Sequence, residues 1–134
     1  MRVLGVDYGS SRTGLALSDP LGITCGPLGT LTEKNDERLL AEIARTAAEH
    51  QVQRIVVGLP RPLSGGTNRQ TDETLAFKRR LEQAVVVPVV MYDERFTSKL
   101  AERGGRRAGA RDAAAACYML QSYLDSCTEM TEDV

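Results

Sequence analysis

The chain has no tryptophan, one histidine, and only four tyrosines and two phenylalanines among its 134 residues. So little aromatic surface argues against recognition by base stacking, which needs several open rings. The one histidine, His50, lies in a polar helical stretch and reads as a solvated surface residue. It leaves no material for a His-rich zinc site and argues against a Ser-His-Asp triad. The three cysteines, Cys25, Cys117 and Cys127, are odd in number and show no C-x-x-C spacing. They read as free thiols of a reducing compartment. No apolar run approaches the roughly 18 residues of a membrane span. The charge at Asp7 interrupts the N-terminal apolar stretch too early for a signal-peptide core. A cytoplasmic protein with no membrane partner is expected. Any chemistry it performs falls to carboxylates.

What is present fits a single domain with a core of its own. The apolar fraction is 42%, ordinary for a globular chain. Net charge is −1, but Asp125, Glu129, Glu132 and Asp133 fall in the last ten residues with no base among them, so the rest carries +3. Fourteen of the seventeen basic residues are arginine, whose planar fork suits phosphate. One domain over residues 1–125, with an acidic, disordered tail over 126–134, is expected.

Hydrophobic patterning predicts five strands. Residues 2–7 form an apolar, β-branched run ending at Asp7. The turn from Tyr8 to Gly14 leads to a short strand over 15–18, and so to a hairpin. A third strand over 23–31 contains Pro27, which suggests an edge position or a bulge. Asn35 caps a helix with Leu39, Leu40, Ile43, Ala44 and Ala47 on its apolar face. Residues 54–59 form a fully apolar strand, and strand, helix, strand implies a right-handed parallel crossover. Thr67 with Gln70 has capping-box spacing and opens a helix to about 84. A fifth strand over 85–92, a short helix capped by Thr97 or Ser98, and a final helix over 112–125 complete the order.

Acids stand at the ends of these elements. Asp7 closes strand one, Asp93 and Glu94 follow strand five, and Asp112 opens the last helix. Parallel strands share a carboxyl end, and ligands of open α/β sheets gather there. Carboxylates brought together on that rim repel one another unless a cation neutralises them. Mg²⁺ or Mn²⁺ with oxygen ligands is the natural partner, and two such ions can promote phosphodiester hydrolysis. Singly, each acid also has a structural reading: Asp7 as a turn residue, Asp93 or Glu94 as partner to Arg95, Asp112 as a helix cap.

Four segments carry a family resemblance. They are Gly5-Val6-Asp7-Tyr8-Gly9-Ser10-Ser11-Arg12-Thr13-Gly14-Leu15-Ala16, then Ile55-Val56-Val57-Gly58-Leu59-Pro60 with Ser64-Gly65-Gly66-Thr67, then Tyr92-Asp93-Glu94-Arg95-Phe96-Thr97-Ser98, and last Asp112-Ala113-Ala114-Ala115-Ala116 through Leu124. In this order they resemble the motifs of the YqgF/RuvX family across almost the whole chain. The resemblance implies a ribonuclease-H-like α/β fold: a mixed five-stranded sheet in order 3-2-1-4-5, strand two antiparallel, with helices on both faces. It implies a metal-dependent nuclease that processes the 5′ end of precursor 16S ribosomal RNA or resolves branched DNA junctions, acting as monomer or homodimer. It maps the catalytic and metal-binding acids onto Asp7, Glu94 and Asp112, with Asp93 as the neighbouring alternative. Strand alternation lets only one of Asp93 and Glu94 face the site, and the resemblance selects Glu94.

Between Arg103 and Asp112 the chain has only Gly-Gly-Arg-Arg-Ala-Gly-Ala-Arg, shorter than in many members of that family. Arg103, Arg106, Arg107 and Arg111 are of one sign with no acid interleaved, a pattern suited to nucleic-acid phosphates. Arg12 and Arg95, beside the acids, are further candidates for nucleic-acid contact. Two rivals remain at this stage. Asp-x-Gly with small hydroxyl residues also resembles the phosphate loop of actin-like and sugar-kinase ATPases, but those folds need two lobes. A non-catalytic RNA-binding or ribosome-assembly factor would have no use for the three acids.

Overall fold

A computed structural model describes residues 1–62, 64–96 and 108–132, with Phe96, 108–111 and 128–132 described by their backbone alone. The strands are β1 (Val3–Asp7), β2 (Thr13–Ser18), β3 (Cys25–Leu31), β4 (Arg54–Leu59) and β5 (Val89–Asp93). The helices are α1 (Asp36–Glu49), α2 (Arg69–Ala84) and α3 (Ala108–Glu132), with one 3-10 turn over Glu94–Phe96. One sheet runs β3-β2-β1-β4-β5. β2 is antiparallel to β1 and β3, while β1, β4 and β5 are parallel.

Strand alternation divides the core between the two faces. Leu4, Val6, Ile55, Val57 and Val89 meet Leu39, Ile43, Ala47, Phe77 and Leu81 of α1 and α2. Val3, Ala16 and Val56 meet Ala116, Met119, Leu120 and Leu124 of α3. Each large apolar side chain buried this way stabilises the fold by roughly 1.5–3 kcal/mol. The second face is thin because its contacts are small. A Cβ on Gly5 would come within 3.0 Å of Leu120 Cβ, so α3 lies almost directly on β1. This close seat carries the start of α3 to the end of β1. Tyr8 leaves β1 on the other face, where its ring stacks on Phe77 at 4.1 Å and its hydroxyl donates to Asp36.

Several boundaries differ from the sequence reading, each for a local reason. β5 starts at Val89, not 85, because its ladder opens where the Pro88 carbonyl accepts from Ile55 N at 2.9 Å. The residues before it bend away, and Val86 is fully exposed. α2 is capped by Asn68, not Thr67: its side chain accepts from Thr71 N at 2.9 Å, and asparagine caps at least as well as threonine. β3 is the edge strand, and a bulge sets Leu15 opposite Gly29 but Ala16 opposite Pro27. α3 begins at Ala108 and runs to Glu132, so residues 108–111 and 126–132 are helical where loop and irregular tail were expected. No helix among the described residues is long and apolar enough to cross a membrane.

Candidate active site

Asp7 is the last residue of β1 and shares the α3 face with Val3 and Gly5. Its strand partner across the hairpin is Gly14. A Cβ on Gly14 would collide with the Asp112 carbonyl oxygen, so that glycine is the floor on which the first turns of α3 rest. On the other side of β1, β4 carries Gly58, where a Cβ would meet Glu94 Oε1 at 2.5 Å, Cγ at 3.0 Å and Cδ at 3.1 Å. Glu94, first residue of the 3-10 turn after β5, thus folds back over β4 toward Asp7. Two glycines inside otherwise apolar strands clear the space into which Asp112 and Glu94 reach. Interior strand glycine of this kind marks close approach by another group.

Asp7 and Glu94 are in hydrogen-bond contact. Burial, above all, raises the Asp7 carboxyl; the bond from Glu94 partly offsets this, and the charge of Asp112 adds to it. Burial also leads for Glu94, followed by the charge of Asp7, the hydrogen bond to it and the charge of Asp93, which together push Glu94 up to about 9. Near neutral pH Glu94 therefore keeps its proton and donates it to the Asp7 carboxylate. The pair resists carrying two negative charges at once.

Asp112 does not join this contact. Arg12 Nε lies 2.9 Å from Asp112 Oδ2, an ion pair in which arginine and aspartate side chains are 47% and 27% exposed. The alignment is not that of a hydrogen bond, and Oδ2, itself buried, has no hydrogen-bond partner. Proximity and alignment disagree here; the short distance establishes the charge pairing, and the missing alignment leaves the lone pairs of Oδ2 unused. Among the described residues, no group of three or more acids, histidines or cysteines stands ready to hold a metal ion. The sequence reading of three converging carboxylates needs that correction: two are in contact, and the third is turned to an arginine.

Asp93 points to the opposite face from Glu94, in line with Val89 and Met91. It accepts from Arg95 N at 2.9 Å and from Arg95 Nε and Nη2 at 2.9 and 2.7 Å. Those bonds, led by the guanidinium, hold its carboxyl below the ordinary range. Arg95 is thereby oriented by Asp93 through its Nε and Nη2. Arg103, Arg106 and Arg107 lie outside the described residues, and Arg111 is described only as backbone in the first turn of α3. The sequence reading passed over Gly14, Gly58 and Arg61, although an isolated glycine in each apolar run was a visible signal for the first two.

Residues 1–126 match the profile of a family described as "RuvX: Holliday junction resolvase". The chain belongs to the RuvX family. Relatives agree. A protein of Syntrophus aciditrophicus named "Putative pre-16S rRNA nuclease" is 41% identical over 140 residues, covering 96% of this chain and 91% of its own. A protein of the same name from Clostridium acetobutylicum is 37% identical, covering 94% and 99%. Among solved structures, Thermus thermophilus RuvC bound to a Holliday junction substrate superposes with a TM-score of 0.59 at 15% identity, covering 96% and 97% of the two chains. The Fowlpox virus resolvase with its junction DNA gives 0.59 at 13%, covering 95% and 99%. At such identities these likenesses concern the fold. The RuvX motifs and the 3-2-1-4-5 sheet read from the sequence are both borne out.

Proposed function

We propose that this RuvX chain is a divalent-metal-dependent nuclease whose substrate is the 5′ end of precursor 16S ribosomal RNA. One observation carries the reading: a half-buried Asp7–Glu94 pair in contact at the sheet's carboxyl edge, with Asp112, whose Oδ2 is ion-paired to Arg12 but makes no hydrogen bond, in the first turns of α3. The donor set fits a hard cation. All three groups offer carboxylate oxygen, none offers nitrogen or sulfur, and Mg²⁺ and Mn²⁺ favour such ligands. The names of the relatives at 37–41% identity support the RNA substrate.

Asp7, Glu94 and Asp112 are the residues that would hold the ion. A divalent ion there supplies positive charge to phosphoryl oxygens and acidity to water. Glu94 must release its proton to serve, which couples ion binding to pH. Asp112 would be the third residue to hold the ion, and without it is paired with Arg12. An Arg12 freed from Asp112 would be placed to meet a substrate phosphate at the same rim. Gly14 and Gly58 let Asp112 and Glu94 approach the strands closely.

A second reading has the family description behind it. A resolvase cuts a four-way junction at two symmetric places and so works as a dimer. A cleavage panel decides between them: precursor 16S RNA, single-stranded RNA, duplex DNA and a four-way junction, each with Mg²⁺ or Mn²⁺. Preferred cutting of the precursor RNA is the expected result. Exclusive cutting of the junction by a dimer would overturn the RNA assignment.

A further inference from the structure

Asp93 binds more than Arg95. Its Oδ2 also faces Arg61 Nη1 at 3.7 Å. Arg61 follows β4 in the loop 60–66 and is anchored by its own Nε, which donates to the Gly66 carbonyl at 3.2 Å. That loop is tied down in turn: Thr71 Oγ1 of α2 donates to the Pro60 carbonyl, and Gly65 N donates to the Pro62 carbonyl. Two guanidinium groups from two loops thus converge on one carboxylate at the carboxyl ends of β4 and β5. Asp93 is only 15% exposed, whereas Arg61 and Arg95 are 33% and 27% exposed.

The charge balance gives this cluster a meaning. The Asp7–Glu94 pair repels a polyanion, and Arg12 is neutralised by Asp112. Arg61 and Arg95 against Asp93 leave a net charge of +1 at the carboxyl ends of β4 and β5, on the side of β5 opposite Glu94. Each guanidinium has five N–H donors, and the bonds to Asp93 and Gly66 use only some of them. The rest have no protein partner among the described residues. Arginine pre-oriented this way matches phosphate with little further loss of freedom.

We infer that Arg61 and Arg95, held in place by Asp93, form a seat for a backbone phosphate of the substrate that runs along the carboxyl ends of β4 and β5, flanking the acids rather than among them. Asp93 is then a positioning residue, and Arg61 is a binding residue of the site. This inference rests on the nuclease reading above.

The test is equilibrium binding of single-stranded RNA spanning the 5′ end of 16S rRNA, followed between 50 and 200 mM KCl on an Asp7→Asn background that does not cleave. Adding Arg61→Ala should weaken binding roughly tenfold at the low-salt end. It should also reduce the slope of log affinity against log salt by roughly 0.7, the loss of one single-strand phosphate contact. Asp93→Asn adds positive charge, so loose electrostatics would tighten binding; loss of a positioning carboxylate weakens it. Thermal melts confirm that both variants are folded. An unchanged slope for Arg61→Ala, or tighter binding by folded Asp93→Asn, overturns the inference. If the parent binds no RNA at any salt, the nuclease reading falls, and the inference with it.

Discussion

Glu94→Gln removes a group whose ionisation the fold strongly resists. Glu94 sits at about 9 against an ordinary 4.5, through burial first and then the charge of Asp7. An acid raised this way binds its proton more tightly in the folded than in the unfolded state. The stability it contributes is complete below pH 4.5 and is lost as pH rises through about 9. Each pH unit in that window removes about 1.4 kcal/mol, and the whole window about 6 kcal/mol as an upper bound shared with Asp7. Glutamine keeps a donor toward Asp7 without a proton to lose. Urea denaturation in EDTA at pH 5, 7 and 9 should show the wild type losing several kcal/mol while Glu94→Gln changes far less, so that the variant is the more stable protein at pH 9. Parallel profiles for the two proteins would refute the buried pair.

The same proton predicts that Mn²⁺ binding at pH 7.5 releases about one proton per protein, read by calorimetry in buffers of different ionisation enthalpy; Glu94→Gln should release almost none. Gly58→Ala places a methyl group against Glu94 Oε1, Cγ and Cδ. It should cost about 1–3 kcal/mol of stability by overpacking and lower cleavage far more than a surface alanine would, measured by denaturation and single-turnover kinetics. Arg12→Gln frees Asp112, so half-saturation by Mn²⁺ should move to lower concentration while KM for RNA rises; a shift of Mn²⁺ demand upward would contradict the pairing.

The sheet order was legible because its signals are local. A short turn after Asp7 enforces a hairpin, an apolar helix face between two strands enforces a crossover, and Pro27 belongs at an edge. The site was legible only in part. Alternation says that Asp93 and Glu94 face apart, but not which faces Asp7; that depends on β5 ending at Asp93, so that Glu94 enters a 3-10 turn over Gly58. The ion pairs of Arg12 with Asp112 and of Arg61 with Asp93 join residues far apart in sequence, and no periodicity encodes them. The early start of α3 was hidden because Ala108 and Ala110 suit a helix while Gly104 and Gly109 suggest a loop.

In the proposed mechanism Asp7 and Glu94 would seat the ion that promotes phosphodiester cleavage. Single-turnover cleavage of precursor 16S RNA in Mn²⁺, comparing wild type with Asp7→Asn and with wild type in EDTA, tests it most directly. Loss of cleavage by at least about a thousandfold in both is expected if the ion carries the chemistry. Cleavage by Asp7→Asn at the wild-type rate, or undiminished cleavage in EDTA, would contradict it.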